Sequence, residues 1–148
     1  MKSSKTVANE FVKLADENGE SLTPMQLLKL VYIAHGWMLA LYNRPLIREE
    51  VQAWQYGPVI PILYRAVRRY RSGPVQRIDG VSSDEVLDED EKSIVQQVYE
   101  IYGDLSGPAL SRMTHAKDTP WAQVYEPGSF GLVISNDLIE ARYESLAA

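Results

Sequence analysis

The chain has 148 residues, 45% of them hydrophobic, with a formal net charge of −5, a pI near 5.0 and no cysteine. That length fits a single domain burying roughly 68–70% of its unfolded surface. The lack of cysteine excludes disulfides, thiolate metal sites and a cysteine nucleophile, and the acidic balance weighs against non-specific nucleic-acid binding. The opening "MKSSKTVANEF" carries charge with no apolar run behind it, so no signal peptide is expected. No stretch offers the ~18 apolar residues of a membrane span. The expected compartment is the cytoplasm.

Taken in chain order, the pattern predicts a mainly α domain: about six helices around a central apolar one, with one small two-stranded β element. The first helix is expected over 5–17, capped by Ser4, with Val7, Phe11 and Leu14 at helical spacing and Asn18-Gly19 as the stop. The second has the clearest start. "LTPMQL" places Thr23 at the N-cap, Pro24 in the first turn and Gln26 at the third position, a capping box, with Leu22 and Leu27 as a hydrophobic staple. It should run to Tyr42 and stop at Asn43. Its apolar residues go nearly all the way round, as in a central helix. Lys29 and His35 lie within it. The Lys29 stem is expected to snorkel, carrying the ammonium to water. His35 is read as a core histidine held by a carbonyl.

The stretch from Val51 to Tyr56 alternates like a short strand. The Gly57-Pro58 step forces a turn, and Pro61 opens a third helix to about Arg71. "VQRI" (75–78) is the candidate partner strand. Six acids fall between Asp84 and Glu91, several in the first turn of a fourth helix, where the dipole favours them. Gly103 ends that helix. Ser106 or Gly107 with Pro108 opens a fifth, Asp118 or Thr119 with Pro120 starts a short turn bearing Trp121, Val124 and Tyr125, "EPGSFG" is loop, and Ser135 caps the last helix.

No phosphate-binding glycine motif is present, and two histidines without cysteine are too few for the usual zinc set. No catalytic, cofactor or metal residues are assigned. A small hydrolase or metal enzyme would need Lys29, His35 and His115 to converge in one polar pocket. The sharpest charge feature is Arg65, Arg68 and Arg69, at i, i+3 and i+4, with Arg71 beside them. These arginines can form a solvated face, with or without pairing to the chain's own acids. They can equally be a docking face for an acidic protein or a grip on a phosphate backbone. The acidic net charge disfavours the last, a nucleic-acid-binding regulator using the basic helix 61–71.

Four segments stand in a suggestive order: "LTPMQLLKLVYIAHGWMLAL", "AWQYGPVIPILYRAV", "LSRMTHAKDTPW" and "ISNDLIEARYES". Together they resemble the Panacea domain family, which includes SocA-like antitoxins and phage-associated proteins. The resemblance spans about 21–143. It implies a helical antitoxin domain that binds a cognate protein toxin. Presentation of the toxin for degradation, with a host AAA+ protease as a further partner, is among the modes it allows. It implies no enzyme and carries over no catalytic residue. No separate DNA-binding module is expected ahead of the motif region. Motif residues shared by antitoxins of unrelated toxins should hold the fold. Trp54, Tyr56 and the Gly57-Pro58 turn are therefore expected to be scaffold, as are His115 and Trp121. Partner contact is expected at Arg65, Arg68 and Arg69, with Trp54 and Tyr56 joining them if exposed, and toxin choice there and in the 84–91 loop.

Overall fold

The computed structural model describes all 148 residues. Its elements in chain order are α1 (Ser4–Glu17), α2 (Pro24–Tyr42), β1 (Val51–Trp54), β2 (Gly57–Val59), α3 (Pro61–Val67), a 3₁₀ turn (Arg68–Tyr70), α4 (Glu89–Tyr102), α5 (Gly107–Thr114), α6 (Pro120–Val124), β3 (Leu132–Ile134) and α7 (Asn136–Ala147). The architecture is mainly α with a small antiparallel sheet, as the hydrophobic pattern predicts. No helix is long and apolar enough to cross a membrane.

Helix α2 is the axis. Every residue from Leu27 to Gly36 is buried, and α1, α4, α5 and α7 pack around it. Its start is the expected capping box: Thr23 Oγ1 accepts from the Gln26 N–H and Gln26 Oε1 accepts from the Thr23 N–H. Leu22 and Leu27 are both buried, as a staple requires. Asn43 ends the helix with φ of 56°, the left-handed conformation asparagine tolerates. Gly36 has a packing reason, since a Cβ there would collide with the Tyr143 ring of α7.

His35 is a core histidine, and its contacts fix its tautomer. Nδ1 faces the N–H groups of Leu46 (3.2 Å) and Ile47 (3.4 Å), so it must accept, and Nε2–H donates to Asn136 Oδ1 at 2.9 Å. The ring ties the 46–47 segment and the start of α7 to the central helix. Burial lowers its pKa, outweighing the Asn136 hydrogen bond and the Glu49 charge, which raise it.

Four expectations are corrected. The helices number seven rather than six, because Pro120–Val124 closes a full turn behind the Thr119 cap. The first cap is Ser3, one residue earlier than predicted. "VQRI" is no strand: Asn9 of α1 takes both backbone groups of Ile78, accepting from its N–H at 2.7 Å and donating to its carbonyl at 3.0 Å, and no ladder forms. The sheet instead has three strands in the order β2-β1-β3. β1 turns directly into β2, with Ala53 opposite Pro58 and Trp54 opposite Gly57, and pairs on its other side with β3, Val51 opposite Ile134. Pro58 has no N–H to give a ladder, which suits an edge strand. Lastly, α3 stops at Val67 and tightens into the 3₁₀ turn, and Arg71 follows with φ of 57°.

Candidate partner-binding cleft

The β1–β2 hairpin stands over the N-terminal half of α2, and three side chains from three helices hold it. Trp121 Nε1 of α6 donates to the Trp54 carbonyl at 2.6 Å, Ser111 Oγ of α5 to the Tyr56 carbonyl at 3.1 Å, and Lys29 Nζ of α2 to the Pro58 carbonyl at 3.0 Å. Alternate carbonyls of one short turn are thus each capped, as a buried backbone needs. Gly57 lies between them with φ of +127°, a conformation glycine alone adopts readily. A Cβ there would also lie 2.8 Å from Lys29 Nζ. The Gly57-Pro58 turn and Trp121 are scaffold in this sense. His115 contributes by standing edge-on to Trp121, ring centroids 5.4 Å apart.

Lys29 does not snorkel. The residue is 5% exposed and its ammonium ends beneath the turn, held there by the Pro58 carbonyl. Burial lowers its pKa to about 8. His115 is brought to the same turn, but His35 is elsewhere on α2 with its ring nitrogens occupied, so the three do not converge. No group of three or more His, Cys, Asp or Glu side chains is placed to hold a metal ion.

Beside the hairpin lies a cleft of about 890 Å³, within the size range of ligand pockets. Met25, Leu28 and Lys29 of α2 line it, facing the hairpin and the 125–130 loop. Its aromatic wall is layered: Trp54 stands edge-on to Tyr64 and tilted against Phe130, each 5.1 Å away, while Tyr125 stacks on Trp121 at 4.7 Å. Tyr56 is 72% exposed and Phe130 78% exposed. Exposed aromatics gathered at one opening mark a contact site more often than scattered ones do. The expectation that Tyr56 is scaffold is therefore overturned for its side chain, whose backbone alone is used by the fold. Trp54 serves both ends, its carbonyl fixed by Trp121 and its half-buried ring facing the cleft.

The arginines divide. Arg68 and Arg71 border the cleft, and Arg65 and Arg68 border a neighbouring groove that also carries Glu49 and Glu50. Arg69 turns onto Tyr70, donating to its hydroxyl at 3.1 Å with the guanidinium carbon 5.0 Å from the ring centre. The switch to 3₁₀ geometry at Arg68 splits what an unbroken helix would have kept on one face. None of the four makes an ion pair.

Four of the six 84–91 acids, Glu85, Asp88, Asp90 and Glu91, are paired elsewhere. Glu85 accepts from the Ser3 N–H and Thr6 hydroxyl, each at 2.7 Å, and meets Arg48 at 2.8 Å. Asp88 and Glu91 form a capping box for α4. Glu91 is fully buried, with Lys2 at 3.1 Å and Arg44 at 3.7 Å. Phe130, Tyr125 and Met25 are the cleft residues that sequence reasoning missed. The available signal was Phe130, a large apolar residue between Ser129 and Gly131 in an otherwise polar loop.

Comparison with known proteins agrees with the segment order. The sequence model of the family described as Antitoxin SocA-like, Panacea domain, matches residues 27–122. That span holds α2 from Leu27 onward, the hairpin, the arginine turn, α4, α5 and the Trp121 that clamps the hairpin. Antitoxin SocA of Caulobacter vibrioides (strain NA1000 / CB15N) is similar at 29% identity over 154 aligned residues, covering 94% of this chain and 81% of that protein. No solved structure matches the chain. The chain belongs to the SocA-like antitoxin family, Panacea domain, a membership that supports an antitoxin role and implies a toxin as the class of partner.

Proposed function

We propose that this chain is a non-catalytic antitoxin that neutralises a cognate protein toxin in the cytoplasm by direct contact. The contact is made with the cleft face: Trp54, Tyr56, Arg65 and Arg68, with Arg69 on the outer side of the same turn. One observation carries the assignment to this face. Exposed aromatics and cations without ion-pair partners stand together there, while Glu85 and Glu91 are already engaged with the N-terminal residues and Arg48. Aromatic and arginine side chains are also the residue types that dominate binding energy at protein interfaces. The acids Glu49 and Glu50 beside Arg65 and Arg68 suit a polypeptide of mixed charge better than a phosphate backbone.

The test is a tagged pull-down from the native host, with growth assays on whatever is recovered. The reading predicts a stoichiometric protein that is toxic when expressed alone and harmless with this chain. Co-recovery of protease subunits would add delivery for degradation to simple masking. Recovery of nucleic acid without a protein partner would contradict the reading.

A further inference from the structure

Lys29 carries a buried charge that nothing in the chain answers. It is 5% exposed, its Nζ has one acceptor, the Pro58 carbonyl, and it belongs to no ion pair. An ammonium has three donors, and the chain supplies an acceptor for one of them. Capping a carbonyl does not require a charge. The two neighbouring carbonyls of the same hairpin are capped by the Ser111 hydroxyl and the Trp121 indole, both neutral. Desolvating a cation without a counter-ion is unfavourable, and perturbed groups in clefts gather at functional sites. Gly57 packs directly over it: a Cβ there would lie 2.8 Å from Nζ, so a side chain at this position would push the ammonium aside. Lys29 lines the cleft with Trp54, Tyr56 and Phe130, and Arg68 and Arg71 stand at its border without ion pairs.

We propose that the cleft receives an acidic segment of the protein partner, with one carboxylate side chain seated on Lys29 Nζ beside the Trp54–Phe130 wall. Arg68 and Arg71 take further acids at the border. A carboxylate matches the single buried ammonium in charge. A phosphate, at roughly −1.5 to −2, would leave excess charge in the same desolvated place. An aromatic or apolar residue next to the acid would cover Tyr56 and Phe130. This rests on the reading that the partner is a protein, and deepens it by naming what that protein must present.

The test needs no toxin. N-acetyl-Glu-Phe-Glu-amide and N-acetyl-Gln-Phe-Gln-amide are titrated into the full-length labelled protein by NMR. The acidic peptide should shift the Gly57 amide and Trp54 indole and bind about tenfold or more tightly than its glutamine analogue. The Lys29 titration midpoint should rise only with the acidic peptide. In Lys29→Met, with its fold checked by circular dichroism, the preference for acid should vanish. Should that variant fail to fold, Arg68→Gln with Arg71→Gln, at exposed positions, must weaken the same preference. Equal affinity for the two peptides, shifts confined to another surface, or no binding by either overturns the proposal while leaving the antitoxin reading intact. Acid-selective binding combined with full toxin neutralisation by Lys29→Met overturns the toxin as the source of the segment.

Discussion

Around the start of α4, Glu91 is fully buried, yet its Oε1 lies 3.1 Å from Lys2 and accepts from the Asp88 N–H to close the capping box, while Oε2, with no hydrogen bond of its own, faces Arg44 at 3.7 Å. Under the β1–β2 hairpin, Lys29 is nearly as buried and has a single carbonyl for company. The first site is an ion cluster in which two cations answer the buried carboxylate. It links the N-terminal residues, the 44–48 segment and α4, and its charges serve the fold. The second leaves a cation half-satisfied beside a cleft with more free cations at its border. The difference separates charge used to hold the chain together from charge left for something else to bind.

The largest effect should come from breaking that ion cluster. Glu91→Ala leaves Lys2 without its nearest carboxylate and removes half the α4 capping box, and should destabilise by roughly 3 kcal/mol in urea titration. A loss under 1 kcal/mol would mean the cluster is ornamental and blur the comparison.

Lys29 should behave with the opposite sense. Its folded pKa, about 8, lies below the ordinary lysine value of 10.5. Between those two values the unfolded chain binds the proton and the folded one does not. Stability from this group is therefore greatest above 10.5 and falls as pH drops toward 8. Relative to Lys29→Met, the wild type should gain about 3 kcal/mol between pH 7 and the alkaline end. Parallel stability curves for the two proteins would show that the ammonium is hydrated after all.

Glu85 sharpens the same contrast on the acid side. Partial burial pushes its pKa up, but hydrogen bonds from Thr6, Ser3 and Arg48 and the Arg48 charge outweigh this and bring it to about 2. Its contribution is present above the ordinary glutamate value of 4.5 and lost as pH falls from there toward 2. Glu85→Gln should flatten the stability profile in that window, costing about 1 kcal/mol at neutral pH. The smallest effect on stability belongs to the border of the cleft. Arg65→Glu with Arg68→Glu touches no ion pair and should change stability by no more than about 0.5 kcal/mol.

Legibility from sequence followed range. Thr23-Pro24 with Gln26, Ser106, Thr119-Pro120 and Ser135 announce helix starts because a cap and its partner lie within three or four residues. The sheet was half legible. β1 and the Gly57-Pro58 turn are local, but β3 is a three-residue run, partly exposed and far along the chain. "VQRI" has strand-like residues, yet one asparagine on α1 decides its backbone bonds. The cleft was legible only in pieces. Lys29 stands out as a lysine in an apolar helix, but its burial depends on a hairpin beginning more than twenty residues later. The arginine spacing reads as one face only if the helix continues. The tightening at Arg68 follows from the exit into Arg71 and Ser72-Gly73-Pro74, which the heptad-like pattern does not record.

The central claim is that the cations around the cleft hold the toxin while those near α4 hold the fold. The most direct measurement is growth rescue by Arg65→Glu/Arg68→Glu, co-expressed with the protein recovered in the pull-down and with folded levels checked by circular dichroism. The account predicts a fully folded chain that no longer protects the cell. A folded double variant that rescues as well as the wild type would contradict it.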